Sequence, residues 1–312
     1  MARHDVAVVG GCGAVGTVFS TALALGGASV VVVSRGVSGC SPVALEARGL
    51  GSASLLVCGW GSAAALRPRV VVYAVKTYSL RGAVEASQRA GWSPVLVAGL
   101  QNGLGALELL EEAYPGRAAQ GLVYYGVERL APCRAVLHAV GAPRVVLGCR
   151  PGRCLGKALE ELEALAALLR RGGVEAVVVE DVEPWRWMKL AVNAAINPVT
   201  ALTGAPNRIV VEDRDARSLA EALAREVGRV AEALGVRLPG DPVAEALRVA
   251  ELTGDNRSSM LQDLEAGRPT EVDYINGAVA AWARRLGLEA PVNETVWRLI
   301  RVLERLRRGK AS

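Results

Sequence analysis

The chain has 312 residues, 51% of them hydrophobic, with 35 Gly and 14 Pro, a length and composition that suit two ordinary globular domains with a sizeable core. Its net charge of +5 comes from 36 Lys+Arg against 31 Asp+Glu spread along the chain, and with one Phe and six Tyr it has neither the massed basic patch nor the stacking aromatics of a nucleic-acid binder. No apolar run reaches 18 residues, and the first residues lead straight into a strand pattern without a signal-peptide core, so a cytoplasmic protein with no membrane partner is expected.

The apolar run at 6–10 has the character of a parallel strand buried on both faces. Gly11-Cys12-Gly13-Ala14-Val15-Gly16 follows at once, and residues 17–25 continue as a helix. Strand, G-x-G-x-x-G and helix in that order form a dinucleotide-binding signature. Its glycines permit the tight turn and the close approach of a pyrophosphate, and the helix start offers N–H groups to the anion. The next strand, 29–33, ends in Ser34-Arg35, where an NAD-preferring site carries an acid for the ribose hydroxyls. Arg beside a hydroxyl suits a 2′-phosphate instead, because guanidinium pairs with phosphate through parallel hydrogen bonds. NADP(H) is therefore expected over NAD(H), although Arg35 can also be accommodated beside NADH.

Residues 55–58, 70–75 and 94–98 read as further strands, the last two leading into Lys76 and into Gln101-Asn102-Gly103. Ligands of open parallel sheets sit at the carboxyl ends of strands, which places Lys76 and Asn102 among the candidates. Asn-Gly is also a common turn pair. Between 121 and 148 the pattern turns β-rich, with segments at 122–127, 135–139 and 144–147 that look antiparallel. A helix at 155–171, closed by Gly172-Gly173, precedes a strand at 174–179. The six Cys (12, 40, 58, 133, 149, 154) contain no Cys-x-x-Cys pair and no nearby His, so no metal site is expected and buried free thiols are the default, with a Cys149–Cys154 bridge left open.

Everything after 181 reads as helical, so the domains are placed at 1–181 and 182–312. The segment from Asp181 through Pro184, Trp187 and Lys189 to Asn193, Asn197 and Pro198 has helical spacing, with Pro184 near the first turn. Lys189, Asn193 and Asn197 are four residues apart and stack on one face at roughly 6 Å per step. Only four residues in the chain are Lys (76, 157, 189, 310) and seven are Asn (102, 193, 197, 207, 256, 276, 293), so a face with one Lys and two Asn is unusual. Lysine, unlike arginine, has a proton it can give up when burial lowers its pKa. Lys189 is accordingly the expected general acid, with the Asn residues beside a polar substrate. After Pro198 the run 201–207 breaks the helix and brings Asn207; helices follow at 213–234, 241–253 and 293–306. The last of these should bury Val296, Leu299, Ile300 and Leu303. Between them Ser259 with Gln262, and Thr270 with Asp273, fit capping boxes.

The ordered set Gly11-x-Gly13-x-x-Gly16, Lys76, Gln101-Asn102-Gly103, Trp187-Met188-Lys189, Asn193, Asn197-Pro198, Pro206-Asn207, Asn256-x-Ser258-Ser259-Met260-x-Gln262-Asp263 and Thr270-Glu271-x-Asp273-Tyr274-Ile275-Asn276-Gly277 resembles the ketopantoate (2-dehydropantoate) 2-reductase family. The resemblance spans nearly the whole chain, and its C-terminal stretches are far more specific than the glycine motif. It implies an α/β protein: an N-terminal Rossmann-type dinucleotide-binding domain followed by an all-helical C-terminal domain of the 6-phosphogluconate dehydrogenase C-terminal type, with the active site in the cleft between them. It assigns Lys189 as proton donor and Asn193, Asn197, Asn207 and Ser259 as substrate contacts, with Asn256 beside them. Gly11, Cys12, Gly13, Ala14, Val15, Gly16, Ser34, Arg35, Lys76, Asn102 and Glu271 fall on or within cofactor positions, Asn102 touching both ligands. Val127 is a weak carry-over, because Tyr124-Tyr125-Gly126-Val127 departs from the family's usual sequence.

The implied reaction is NADPH-dependent reduction of ketopantoate in pantothenate and coenzyme A synthesis, hydride adding to the 2-oxo carbon. The developing alkoxide needs a proton, and with only His4 and His138 in the chain, lysine is the plausible acid. Ser259 with adjacent backbone N–H groups suits the substrate carboxylate. A reductase of another branched 2-oxo acid, or a 3-hydroxy acid dehydrogenase, on the same architecture is the competing enzyme reading. A dinucleotide-sensing protein without turnover competes from another class but would have no use for the Lys189 face. The sequence leaves monomer and homodimer open.

Overall fold

The computed structural model describes residues 5–138 and 144–308, so His4, Ala139 at the end of the expected strand 135–139, and Lys310 lie outside the described residues. The chain divides into two compact units, one of residues 1–101 and 105–182, the other of residues 102–104 and 183–312.

The first unit is built from β1 (Val6–Val9), α1 (Ala14–Leu25), β2 (Val30–Val33), β3 (Cys40–Arg48), β4 (Gly51–Cys58), α2 (Trp60–Ala63), β5 (Val70–Tyr73), α3 (Thr77–Arg89), β6 (Leu96–Gly99), α4 (Ala106–Ala113), β7 (Ala118–Val123), β8 (Gly126–Ala131), β9 (Arg134–His138), β10 (Arg144–Gly148), α5 (Lys157–Arg171) and β11 (Glu175–Val179). Among the described residues these strands form one sheet in the order β11-β10-β7-β6-β5-β1-β2-β4-β3-β9-β8. The run β4-β2-β1-β5-β6-β7 is parallel throughout. Numbered along the chain, those six strands take the order 3-2-1-4-5-6, the doubly wound dinucleotide-binding arrangement. Strands β1, β2, β5 and β6 are buried at every position, as parallel strands covered on both faces must be. Phe19, Leu23, Leu162, Leu165 and Leu169 of α1 and α5 join the strand residues in one core.

Three expectations about this unit change. The stretch between β2 and β5 holds a full hairpin, β3 with β4, where the sequence shows only 55–58; Pro42, Gly49 and Gly51 interrupt its pattern, and Pro42 is tolerated because β9 reaches β3 only at Glu46–Arg48. The run 122–127 is not one antiparallel strand: β7 ends at Val123, runs parallel to β6 and antiparallel to β10, and the chain restarts as β8. The cysteines are not free thiols. All six are paired, as Cys12–Cys133, Cys40–Cys58 and Cys149–Cys154. The first two pairs join cysteines 121 and 18 positions apart, and only the folded sheet brings them together.

The second unit is helical, with α6 (Glu183–Thr203), α7 (Ile209–Glu212), α8 (Arg214–Ala233), α9 (Pro242–Leu252), α10 (Ser259–Glu265), α11 (Asn276–Arg285) and α12 (Pro291–Arg308). Its centre is α6. Trp187, Leu190, Ala191 and Ala194 pack with residues of α8, α10, α11 and α12, while Ala195, Ile196 and Val199 pack with α7, α8 and α9. In α12, Val296 and Ile300 are buried and Leu303 is partly so, but Leu299 is exposed, contrary to the expected packing face. No described helix is long and apolar enough to cross a membrane.

Helix α6 runs through Pro198 and ends at Thr203, within the run 201–207 expected to break it. Proline has no N–H, so the carbonyl of Ala194, four residues earlier, loses its helical donor. Asn276 Nδ2 takes that place at 3.1 Å and also donates to Asn293 Oδ1 at 2.9 Å. Asn293 Nδ2 then donates to Leu223 O and to Glu226 Oε2. The two Asn given no role among the candidate site residues are thus a buried device that lets α6 continue past its proline. Glu226 completes it by accepting the backbone N–H groups of Val292 and Asn293, near the start of α12, where a helix has unpaired donors and favours negative charge.

Candidate active site

In the first unit, Gly11–Gly16, Ser34–Arg35 and Lys76 follow β1, β2 and β5, three adjacent parallel strands whose ends are in register at Val9, Val33 and Tyr73. Their fit to a dinucleotide is testable in the backbone. A Cβ on Gly16 would lie 2.3 Å from Gly10 O, and one on Gly11 would lie 2.8 Å from both γ-methyls of Val32. Those positions admit only glycine, and the crossing from β1 to α1 is as tight as pyrophosphate binding demands. Helix α1 has Gly13 as its N-cap, with no side chain capping it and no acidic residue in the first turn, so its positive end suits an anion. Arg35 is exposed, Ser34 partly buried, and Lys76 is the N-cap of α3. The residues present fit the group.

Val127 lies on β8, away in the sheet order from these three strands, and packs with Val18, Ala47 and Ala135. Gln101, which the sequence shows only as part of a motif, has a definite task. It is 4% exposed and donates from Nε2 to both Tyr73 O and Val75 O at 2.8 Å, tying the end of β6 to the end of β5.

The second unit collects the rest. Residues Asn102–Leu104 leave β6 but pack with this unit. Gly103 has φ +81, and a Cβ there would lie 2.2 Å from Tyr274 O, while Leu104 N donates to the same carbonyl at 2.9 Å. Glycine therefore seats the 102–104 segment against the 271–275 turn. Asn102 Nδ2 in consequence donates to Glu271 Oε2 at 3.3 Å, and Asn193 Nδ2 reaches Asn102 Oδ1 at 3.5 Å. Lys189, one helical turn before Asn193, is partly buried and feels the charge of Glu271. Asn197 is buried, continuing the face. Desolvation lowers the Lys189 pKa to about 8, and the carboxylate of Glu271 opposes that fall.

Asn207 and Asn256 come together on adjoining segments: Asn207 N donates to Asn256 O at 2.9 Å, and Asn207 Nδ2 donates to Thr253 Oγ1 at 2.9 Å. Asn207 Oδ1 is buried with no protein partner, an acceptor left over for a donor such as a hydroxyl. Ser259 is exposed as the first residue of α10 and is not its cap. Ser258 is the cap, its Oγ accepting from Leu261 N at 3.1 Å, and Gln262 Nε2 turns to Arg257 O; the expected capping box between Ser259 and Gln262 does not form. The box between Thr270 and Asp273 does not form either. Thr270 Oγ1 accepts from Val272 N in a short turn, and Asp273 Oδ1 accepts from Trp297 Nε1.

Two supporting residues escape the motif reading. Thr200 is fully buried and its Oγ1 donates to Ser258 Oγ at 2.7 Å, linking the Lys189 helix to the cap of the Ser259 helix. The signal was available, because Thr200 continues the face of Lys189, Asn193 and Asn197 one further turn. Thr253, which orients Asn207, carries no such periodic mark.

The geometry agrees with what this chain is similar to. The profile of the family described as ketopantoate reductase PanE/ApbA matches residues 6–152, and the profile of that family's C-terminal part matches residues 181–304. The 2-dehydropantoate 2-reductase of Pyrobaculum aerophilum is 43% identical over 235 residues, covering 75% of this chain and 77% of the relative. That of Archaeoglobus fulgidus is 35% identical over 94% of this chain and 96% of the relative. Among solved structures, 2-dehydropantoate 2-reductase from Methylococcus capsulatus superposes with a TM-score of 0.81 at 28% identity, covering 97% of each chain. D-mandelate dehydrogenase with NADH and anilino(oxo)acetate has a TM-score of 0.83 at 20% identity over 97% of this chain and 99% of its own, a likeness of fold.

Proposed function

The chain belongs to the ketopantoate reductase family, and from that premise we propose that it reduces 2-dehydropantoate to (R)-pantoate with NADPH, a step of pantothenate and coenzyme A biosynthesis. The observation that carries the reading is the polar face of α6, where Lys189, Asn193 and Asn197 follow one another and Asn102 and Glu271 close on it.

Gly11–Gly16 and the start of α1 bind the pyrophosphate, Ser34 and Arg35 the 2′-phosphate, and Lys76 adds a cation at the end of β5. Bound there, the reduced nicotinamide supplies a hydride for the 2-oxo carbon. Lys189 donates from Nζ to the substrate's carbonyl oxygen, steadies the negative charge that grows on it, and gives up the proton. Glu271 keeps a useful fraction of Lys189 charged against the cost of burial. Asn193, Asn197 and Asn207 orient the hydroxyl end of the substrate, Asn207 through its unused Oδ1, while Ser259 meets the carboxylate and Asn256 braces Asn207. Ketopantoate carries a carboxylate, a carbonyl and a hydroxyl, and each has a partner in this set.

The decisive assay is loss of the reduced-nicotinamide absorbance with ketopantoate and either NADPH or NADH. Rapid NADPH oxidation with slower use of NADH is the expected result. Arg35→Ala should then raise KM for NADPH roughly tenfold, the scale of one lost charge-assisted phosphate contact, and leave KM for NADH nearly unchanged. No turnover of ketopantoate, with turnover of another branched 2-oxo acid, would move the substrate and keep the chemistry.

The protonation of Lys189 sets a pH limit. The acid must be charged to act, and its pKa in the free protein is lowered to about 8, so kcat/KM for ketopantoate should be level below that pH and fall tenfold per unit above it. Glu271→Gln removes the opposing charge and should move the break to lower pH. A kcat/KM profile from pH 6 to 10 that stayed flat, or a break that moved upward in the variant, would contradict the assignment.

A further inference from the structure

We propose that two of the three cystines, Cys12–Cys133 and Cys40–Cys58, are positioning groups for the dinucleotide, holding the two phosphate-binding loops in their bound shape before it arrives. The inference rests on the dinucleotide reading given above.

Cys12 stands inside the glycine motif, between Gly11 and Gly13, and is itself buried. Glycine-rich backbone has the most freedom to lose when a ligand orders it. Here that freedom is already restricted: Cys12 is bonded to Cys133 in the turn between β8 and β9, and Cys133 N donates to Cys12 O at 3.1 Å. Cys133 has φ +60, the only non-glycine left-handed residue among those described. It follows Pro132 in a two-residue turn whose second position favours Gly or Asn. A cysteine in so unfavourable a backbone conformation is explained by the bond its side chain makes.

The second loop, residues 34–39, carries Ser34 and Arg35 and has two glycines, Gly36 and Gly39, with positive φ. Both of its ends are fastened at one strand end. Ser34 N donates to Cys58 O at 3.0 Å, Gly59 N donates to Gly39 O at 2.9 Å, and Cys40, the next residue, is bonded to Cys58. Cys58 in turn lies beside Val33, the last residue of β2.

The third cystine is elsewhere. Cys149 follows β10, whose Gly148 pairs with Gln120, and Cys154 bridges to Arg117 just ahead of β7. Those positions are at the amino ends of the parallel strands, whereas Cys12 and Cys58 follow or close carboxyl ends. Cys149–Cys154 is therefore an internal control for the general effect of losing a cystine.

Preorganisation acts on binding: it removes ordering that the ligand would otherwise have to impose, so severing a strap should raise the dissociation constant for NADP+ by roughly tenfold. The test begins with thiol titration of the denatured, unreduced protein. Titratable thiol at Cys12, Cys133, Cys40 or Cys58, located by alkylation and peptide mapping, overturns the proposal. NADP+ binding is then measured by calorimetry for the native protein, Cys133→Ser, Cys40→Ser and the Cys149→Ser/Cys154→Ser double variant. Weakening in the first two variants and an unchanged constant in the third is the expected result. Equal weakening in all three would mean general loosening, and unchanged binding in all three would mean no positioning; either overturns the inference and leaves the proposed function standing. A native protein that binds neither NADP+ nor NAD+ overturns the dinucleotide reading itself. Should a variant fail to fold, the native protein is titrated before and after incubation with dithiothreitol, which gives two thiols per cystine and is oxidised to its cyclic disulfide. NADP+ affinity that stays constant while four or more thiols are released is again fatal to the proposal.

Discussion

Lys189→Ala is expected to lower kcat by about two to four orders of magnitude, the usual contribution of a positioned general acid. The loss should fall mainly on turnover, because Lys189 acts on the carbonyl oxygen of the keto acid, and the dissociation constant for NADPH should stay within about twofold, as expected when the lost contact is with the keto acid. Lys189→Arg should not restore activity: guanidinium keeps its proton at any pH at which the fold survives. Ketopantoate affinity should also drop in the alanine variant, since the ammonium steadies the ground-state oxygen as well. Steady-state kinetics together with calorimetric titration of NADPH separate these effects. A kcat within tenfold of the native enzyme, or an equal loss of NADPH affinity, would remove Lys189 from the role.

The second large effect concerns stability. Glu226 is 3% exposed and its carboxylate accepts from Val292 N at 3.0 Å, Asn293 N at 2.8 Å and Asn293 Nδ2 at 2.8 Å. Glu226→Ala leaves those donors buried beside a cavity, at a cost of about 3–5 kcal/mol. The midpoint of thermal unfolding should fall by roughly 6–20 °C, at about 2–4 °C per kcal/mol. Glu226→Gln keeps one acceptor oxygen and should lose markedly less. Asn276→Leu tests the other end of the same network: it orphans Ala194 O above Pro198 and Asn293 Oδ1, and should destabilise by about 2–3 kcal/mol. Scanning calorimetry of the three variants decides it. A Glu226→Ala protein within 1 kcal/mol of the native one would mean that α12 draws its start from something else.

The candidate site residues were legible because each left a local mark. The glycine motif stands between a strand and a helix, and the contacts that a Cβ would make at Gly11 and Gly16 give the physical reason for both glycines. The Lys189 face is visible as a period of four, sharpened by the scarcity of Lys and Asn in a chain that otherwise uses Arg. Of the seven Asn, five mark the candidate site and the other two, Asn276 and Asn293, hold each other. Composition alone could not separate those groups. Only the contact of Asn276 with the carbonyl freed by Pro198 does so, and that carbonyl, on Ala194, lies 82 positions from Asn276.

The capping errors have a similar origin. At Ser258-Ser259 either hydroxyl satisfies the local pattern, and burial against Thr200 of another helix selects Ser258, leaving Ser259 exposed. Asp273 is drawn away from Thr270 by Trp297 of α12, a partner 24 positions on. A local rule is decided by a distant contact whenever two local solutions are nearly equal in energy.

What the amino-acid sequence determined by itself is therefore the set of elements and the identities of the chemical groups: a doubly wound sheet with a glycine turn, a helical second half, and one helix face carrying a lysine and two asparagines. Periodicity, glycine sterics and rare residue types are properties of neighbours along the chain, so they survive without coordinates. The tertiary structure alone decided which cysteines pair, that Asn102–Leu104 packs with the helical unit and brings Asn102 to Glu271, and that the β3–β4 hairpin extends the sheet. It also decided the acidity of Lys189. Desolvation lowers its pKa to about 8 against the opposing charge of Glu271, a residue distant in sequence, and both effects exist only once the chain is folded.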